Sequence, residues 1–319
     1  MEAQEPFAYI RDVWHDNLEA EMATIREMVV NYPCISMVRC APALSRVRPP
    51  LQHSQNIRAP SRQDTEFPGV VAKPVGSFKS NSDFHYQTLR TNVNLLKIIQ
   101  LGLTFSNDDG ELAPGVCTYQ FNFTFSLGDD IYAQDSIDLL TRSGIDFARH
   151  QAEGIDPLDF AELLISSGIV LCDDIKWVSF HSGYDFGYLL KLLTCKELPT
   201  TAEEFADELQ LYFNGIYDVK WLMRYCDNLK GGLNKVAEDL EVDRTGAEHQ
   251  AGSDSLLTQA TFFKMRQLFF ENELDDDKHL NIIFGIGRGG HHKGGVPGGG
   301  DRAAYEPSQG HQGHAEPAM

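Results

Sequence analysis

Tyr119, Phe121, Phe123 and Phe125 place an aromatic ring at every second position, the period of a β-strand, whose successive side chains point to opposite faces. A helix would scatter these rings around its circumference, so this part of the chain is expected to be extended. Residues 64–71 and 97–105 carry the same strand character. Asn107-Asp108-Asp109-Gly110 supplies a hairpin-type turn before the aromatic run, so three strands joined in succession pair most simply as an antiparallel meander.

Beyond the meander the texture changes. Helical stretches at 133–141, 160–166 and 185–193 alternate with a short apolar strand at 177–180, the pattern of an α/β sheet. Upstream, Trp14, Leu18, Met22, Ile25 and Val29 recur every three or four residues and mark an amphipathic helix, after which Cys34 to Met37 begin a strand. The expected fold is therefore α/β: a ribonuclease-H-like mixed sheet, an antiparallel three-strand meander plus parallel strands, flanked by helices. Residues 1–37 and 64–287 form one domain in this reading. The Gly/His-rich end, 288–319, cannot bury enough apolar surface to offset the entropy of ordering and is expected to be a disordered tail.

Residues 38–63 break the pattern. This stretch holds five arginines, four prolines and no Asp or Glu, and it interrupts the strand begun at Cys34. Pro42, Pro49, Pro50 and Pro60 cannot donate to a sheet ladder, so the segment is expected to loop out at Met37 and return at Asp64. It opens on a valine, whose codons all begin GT, and closes on a glutamine, one codon of which is CAG. That fits a retained in-frame intron better than an evolved loop.

Composition narrows the function classes. A formal net charge of −19 repels polyanions at long range, so any nucleic-acid partner must be held locally, by bound cations or a lined groove. Six dispersed cysteines with no CxxC pair suit free thiols in a reducing compartment, cytoplasmic or nuclear. No long apolar run or leader pattern points to a membrane.

Within this frame, four carboxylates and a histidine stand out. Asp64 and Glu66, one residue apart on an extended segment, point the same way and suit a divalent metal. Asp185 follows the strand at 177–180, and Asp254 opens an apolar helix. Phosphodiester hydrolysis with two metal ions needs about four such carboxylates, and His249, on the loop entering that helix, is placed to serve as the base. Taken singly, each residue has a plainer role. Asp185 suits a helix cap, Asp254 a solvated face, His249 a capping surface residue, and Asp-x-Glu is a common triplet.

Longer motifs surround these residues. Asp64-Thr65-Glu66-Phe67-Pro68-Gly69, Ile98-Ile99-Gln100-Leu101-Gly102-Leu103-Thr104-Phe105, Phe180-His181-Ser182-Gly183-Tyr184-Asp185-Phe186 and the run His249-Gln250-Ala251-Gly252-Ser253-Asp254 resemble the histidine-bearing DEDD exonucleases. Within them, the motifs are most similar to the poly(A) deadenylase subunits of the CCR-NOT complex. The resemblance spans residues 10–287 apart from 38–63. It implies a 3′-to-5′ exoribonuclease that shortens mRNA poly(A) tails and releases 5′-AMP, using two divalent ions, Mg²⁺ or Mn²⁺. By the same resemblance Asp64 bridges both ions, Glu66 and Asp254 complete the first ion's site, Asp185 holds the second, and His249 activates the attacking water. Phe67 stacks on a terminal base or ribose or else belongs to the core. Partners so implied are single-stranded poly(A) RNA, a scaffold subunit and, through it, a second deadenylase. Two alternatives stand beside this reading: a DNA exonuclease of the same superfamily, and a weakened or inactive homologue, disabled by residues 38–63, that serves as a binding module.

Overall fold

A computed structural model of the chain describes residues 10–40 and 71–288. Asp64, Glu66, Phe67, residues 41–63 of the Arg/Pro-rich segment and residues 289–319 of the expected tail lie outside the described residues. Eight described strands form one mixed sheet in the order β1 (Ile10–Val13), β4 (Thr118–Asn122), β3 (Gln100–Ser106), β2 (Cys34–Cys40), β5 (Lys176–Ser179), β6 (Ile216–Asp218), β7 (Ile282–Ile283) and β8 (Gly287–Arg288). β2, β3 and β4 pair antiparallel, while β1 joins β4, and β5, β6 and β7 extend from β2, all in parallel. The expected ribonuclease-H-like sheet is therefore present. The short β7–β8 hairpin takes Arg288, the first residue assigned to the tail, into the sheet.

Eleven described helices surround the sheet: α1 (Leu18–Met28), α2 (Asn81–Leu95), α3 (Gln134–Arg142), α4 (Phe147–Glu153), α5 (Pro157–Ile165), α6 (Gly183–Thr194), α7 (Ala202–Tyr212), α8 (Val219–Leu222), α9 (Leu233–Asp239), α10 (Ala251–Phe269) and α11 (Asp276–His279). None is long and apolar enough to cross a membrane. The stripe expected from Trp14 to Val29 is buried throughout, and Cys34, Cys117, Cys172, Cys195 and Cys226 are free.

The strand begun at Cys34 does not stop at Met37. It continues through Val38 and Arg39 to Cys40, opposite Gly102, Leu101 and Gln100 of β3. The reason is local: the first proline of the segment is Pro42, so every earlier residue keeps the backbone N–H that the ladder needs. The meander therefore opens with β2, and the strand expected at 64–71 falls, except for Val71, outside the described residues.

Alternation along the central strands assigns each face of the sheet. Ile35 and Met37 of β2, Leu101, Leu103 and Phe105 of β3, and Tyr119 and Phe121 of β4 enter one core with Met22 of α1, Leu89 of α2, Phe160 of α5 and Phe186 of α6. The opposite face carries α10. Its residues meet β3 in step: Ala251 against Gln100 and Gly102, Ser255 against Thr104, and Gln259 against Ser106. A helical period of about four residues thus lies on a strand period of two, with α10 running in the direction of β3.

Gly102 sets how close α10 comes. A Cβ at Gly102 would stand 1.9 Å from the carbonyl oxygen of Ala251, a backbone atom that cannot rotate away. Gly102→Ala is therefore expected to lower stability by about 3 kcal/mol or more through overpacking. Urea unfolding of the two proteins measures this; equal midpoints would show that α10 does not press on β3.

Candidate functional site

The first turns of α6 and α10 carry the two carboxylates that the structure describes. Asp185 lies one turn into α6, behind the N-cap residue Ser182, and is buried, so it is not the cap itself. Near that helix N-terminus the backbone dipoles favour a negative charge. Asp254 is the fourth residue of α10, its N–H donating to the Gln250 carbonyl at 2.9 Å. β2 and β5 are parallel, so the turn that leads into α6 and the start of α10 open at the same edge of the sheet, the carboxyl end where open α/β sheets bind ligands.

Two devices hold the turn before Asp185. Asp218, fully buried at the end of β6, accepts backbone N–H bonds from His181 (2.9 Å), Ser182 (3.3 Å), Lys220 (2.9 Å) and Phe284 (3.0 Å). Burial pushes its carboxyl up, and the four amide donors pull it back. His181 itself adopts a left-handed backbone, φ +59°, and its ring packs edge-on against Phe284, centroids 5.0 Å apart.

The α10 side is charged. Arg244 lies 2.5 Å from the Asp254 carboxylate and 2.9 Å from Ser253 Oγ, and it also donates to Asn234. Burial raises the Asp254 carboxyl, while Arg244 and then His249 oppose the rise. Arg244 also lines an open groove of about 500 Å³ together with Asn234, Leu257 and the carboxylates of Glu238, Glu241 and Asp243. His249 has φ +62°, an uncommon conformation for a residue other than glycine, and lies 3.6 Å from Glu248. Strain of this kind is retained where the surroundings over-determine the backbone.

The donor chemistry suits a divalent cation. Asp185 and Asp254 offer hard oxygen ligands, and a cationic side chain already stands against one of them. Among the described residues, however, no three His, Cys, Asp or Glu side chains are grouped to hold a metal. The other two candidate ligands, Asp64 and Glu66, lie outside them. Register shows what stands at the open end of β2 instead. Val38 is paired in the ladder with Gly102, the residue against which Ala251 packs, and the backbone of Cys40 with Gln100.

Several residues of the site escape notice in the sequence. Arg244 and Asp218 carry no motif, and only the folded chain brings Arg244 to Asp254 and Asp218 to the turn before Asp185. Gln100, Gln120 and Gln250 sit inside the motifs and the aromatic strand, where the period of two had a visible signal: Thr118, Gln120 and Asn122 are polar, yet all are buried.

Burial holds the His181 ring neutral, lowering its pKa from 6.5 to about 4, with Lys220 and His85 adding to the effect. The unfolded chain therefore binds the proton first. Stability from this group is complete above pH 6.5 and is lost as pH falls toward about 4, by about 3 kcal/mol for such a shift. His181→Asn, which tolerates the left-handed backbone, is expected to flatten that part of the pH–stability curve. Denaturant titrations between pH 7 and 4 measure it, and an unchanged slope would place the acid sensitivity elsewhere.

Comparison with known proteins follows the same geometry. The profile of the CAF1 family ribonuclease matches residues 63–162 and 168–262, beginning at the last residue of the Arg/Pro-rich segment. A probable CCR4-associated factor 1 homologue of Arabidopsis thaliana is 51% identical over 284 residues, covering 87% of this chain and 93% of its own. The poly(A) ribonuclease pop2 of Schizosaccharomyces pombe is 49% identical over 281 residues, covering 88% and 76%. The solved S. pombe Pop2p, in a form with Mg²⁺ and Mn²⁺ bound, superposes with a TM-score of 0.77 at 47% identity, covering 86% of this chain and 99% of that one. A yeast CAF1 co-crystallised with the MIF4G domain of NOT1 also matches, with a TM-score of 0.65 at 29% identity and coverage of 89% and 100%. With its mixed sheet, its two helix-borne carboxylates and these relatives, the chain belongs to the CAF1 family of ribonucleases.

Proposed function

We propose that this chain is a poly(A)-specific 3′-to-5′ exoribonuclease that releases 5′-AMP, with Asp64, Glu66, Asp185 and Asp254 holding two divalent ions. The observation that carries the reading is the placement of Asp185 and Asp254 in the first turns of two helices at one edge of the sheet, with His249 beside the second. Mg²⁺ or Mn²⁺, the ions bound by the S. pombe relative, would supply a polarised water and charge compensation at the leaving oxygen.

The remaining roles belong to the chain. The His249 imidazole takes a proton as water oxygen attacks the terminal phosphorus and the 3′ oxygen of the preceding nucleotide leaves. Arg244 balances Asp254, and because Glu238, Glu241 and Asp243 line the same groove, bound cations would have to offset the repulsion of an RNA phosphate there. A scaffold of the NOT1 type, which the yeast relative binds, is the expected partner, and through it a second deadenylase.

The course of β2 favours a second reading for the chain as written. Val38, Arg39 and Cys40 hold the ladder positions opposite Gly102, Leu101 and Gln100. Removing residues 38–63 would bring Asp64, Thr65 and Glu66 to those three positions, with both carboxylates at alternate places on the strand beside the first turn of α10. Residues 38–63 are then intervening sequence that leaves a weakened, complex-binding homologue.

Both readings meet one experiment. The form lacking 38–63 is expected to shorten A-tailed RNA, and not DNA, in a Mg²⁺-dependent reaction, and Asp185→Asn in that form to lose at least about a hundredfold in rate. The full chain is expected to be slower and insensitive to Asp64→Ala. Equal rates for the two forms would remove the second reading; hydrolysis by neither, or of DNA alone, would remove the first. Sequencing transcripts across the Met37–Asp64 junction tests the intron directly, and finding only transcripts that contain the segment would refute it.

A further inference from the structure

The N-terminus of α10 is capped by the sheet. Gln250, at the N-cap position, makes no capping hydrogen bond of its own, yet the first two amides of the helix are satisfied. Ala251 N–H donates to Gln100 Oε1 of β3 at 3.4 Å, and Gly252 N–H donates to Gln120 Oε1 of β4 at 2.8 Å. The same glutamines reach Gln250 from the other side: their Nε2 groups donate to its Oε1 at 3.2 and 3.1 Å, while Gln250 Nε2 donates to the Ser143 carbonyl at 2.8 Å. Gln100 and Gln120 are 2% and 7% exposed, so their amides have little water to fall back on.

One carboxylate sets the direction of the network. Asp12 Oδ1, on β1, accepts from Gln120 Nε2 at 2.9 Å and from Asn122 Nδ2 at 3.2 Å, and Gln100 Nε2 donates to Asn122 Oδ1 at 2.7 Å. An ionised carboxylate only accepts. Gln120 must therefore turn its NH₂ toward Asp12, which turns its carbonyl oxygen toward Gly252 N–H. A bond between two neighbouring strands in this way orients an amide that holds a helix more than a hundred residues further along the chain.

We infer that Asp12, Gln100, Gln120 and Gln250 form a clasp of positioning residues that fixes the start of α10, and with it the strained backbone of His249 and the carboxylate of Asp254. His249, at φ +62°, immediately precedes Gln250, and Asp254 N–H closes on the Gln250 carbonyl, so both depend on the residue that the clasp grips. Close packing adds to the grip. A Cβ at Gly252 would come within 2.9 Å of Ile10 Cγ2 and 3.2 Å of the Gln120 side chain. The functional part of this inference rests on the assignment of His249 and Asp254 to the site; the clasp itself does not.

Two readouts separate them. In Gln120→Leu, with no acceptor for Gly252, hydrogen exchange of the first-turn amides 251–254 in the full chain is expected to quicken about tenfold, the effect of losing one buried hydrogen bond, while amides at 262–265 keep their rates. In the form lacking 38–63, kcat on A-tailed RNA is expected to fall while KM holds. The double variant Asp12→Asn with Gln120→Glu reverses the polarity: the new amide on β1 donates where the carboxylate of Asp12 accepted, and the new carboxylate on β4 still accepts from Gly252. It gives up the bonds from position 120 to Gln250 Oε1 and from Asn122 Nδ2 to position 12, so it is expected to restore exchange and kcat only in part, yet further than Gln120→Glu alone, which sets two carboxylates face to face. Unchanged exchange at 251–254 in Gln120→Leu, or a double variant no better than Gln120→Glu, would overturn the clasp. Restored exchange without restored kcat would overturn its role in positioning. Clasp behaviour in exchange together with no hydrolysis by any form would instead count against the ribonuclease reading.

Discussion

The close seating of α10 on β3 is the contact on which the rest of the site depends. It is a polar and small-residue seam: Gln100, Gly102, Thr104 and Ser106 on the strand meet Gln250, Ala251, Ser255 and Gln259 on the helix. Ser36 on β2 joins it by donating to the Ser255 carbonyl at 2.8 Å. Apolar burial on this face is carried further along, by Cys34, Val178, Tyr217, Phe262 and Met265. The division has a physical sense. Apolar packing sets no unique register and tolerates sliding, whereas a buried hydrogen bond is lost outright when its partner shifts by an ångström. The polar end of the seam is the end that carries Asp254.

The two carboxylates are held by different means. Asp185 is positioned indirectly, since Asp218 ties the His181 and Ser182 amides of the preceding turn to those of Lys220 and Phe284 and leaves Asp185 near a helix N-terminus. Asp254 is positioned by its helix and balanced by Arg244. Burial raises the Asp254 carboxyl, and the guanidinium opposes that rise, favouring the charged form that a cation-binding role needs. Each arrangement satisfies a group away from water while leaving the edge of the sheet open.

Much of the fold was legible because it follows from short-range periods. The stripe from Trp14 to Val29, the alternating aromatics, the short apolar strand at 177–180 and the start of α6 are local patterns, and each forms where expected. The aromatic strand is shorter than its pattern: β4 ends at Asn122, and Phe123 instead bridges Ile155. β1, α2, α7 and β6 were not expected, because short or weakly periodic segments are stabilised by neighbours remote in sequence. β1, for example, owes its place to parallel pairing with β4. Residues 38–40 showed the limit in the other direction. Their Arg/Pro-rich surroundings argued for a loop, but a strand already paired on both sides extends as long as the next residue can donate and accept.

By itself, the sequence determined the chemistry on offer: carboxylates and a histidine within motifs long enough to declare a nuclease family, and an Arg/Pro-rich segment foreign to its neighbours. Residue type and spacing are properties of the chain, so they can be read from it. Only the tertiary structure decided which of these groups meet. It brought Arg244 to Asp254, turned Gln120 toward Gly252 through Asp12, and carried β2 on to Cys40 beside the first turn of α10. The reason is common to all three. A hydrogen bond or a ladder position between residues from ten to more than a hundred positions apart is settled by packing and register, and neither is written in the motifs themselves.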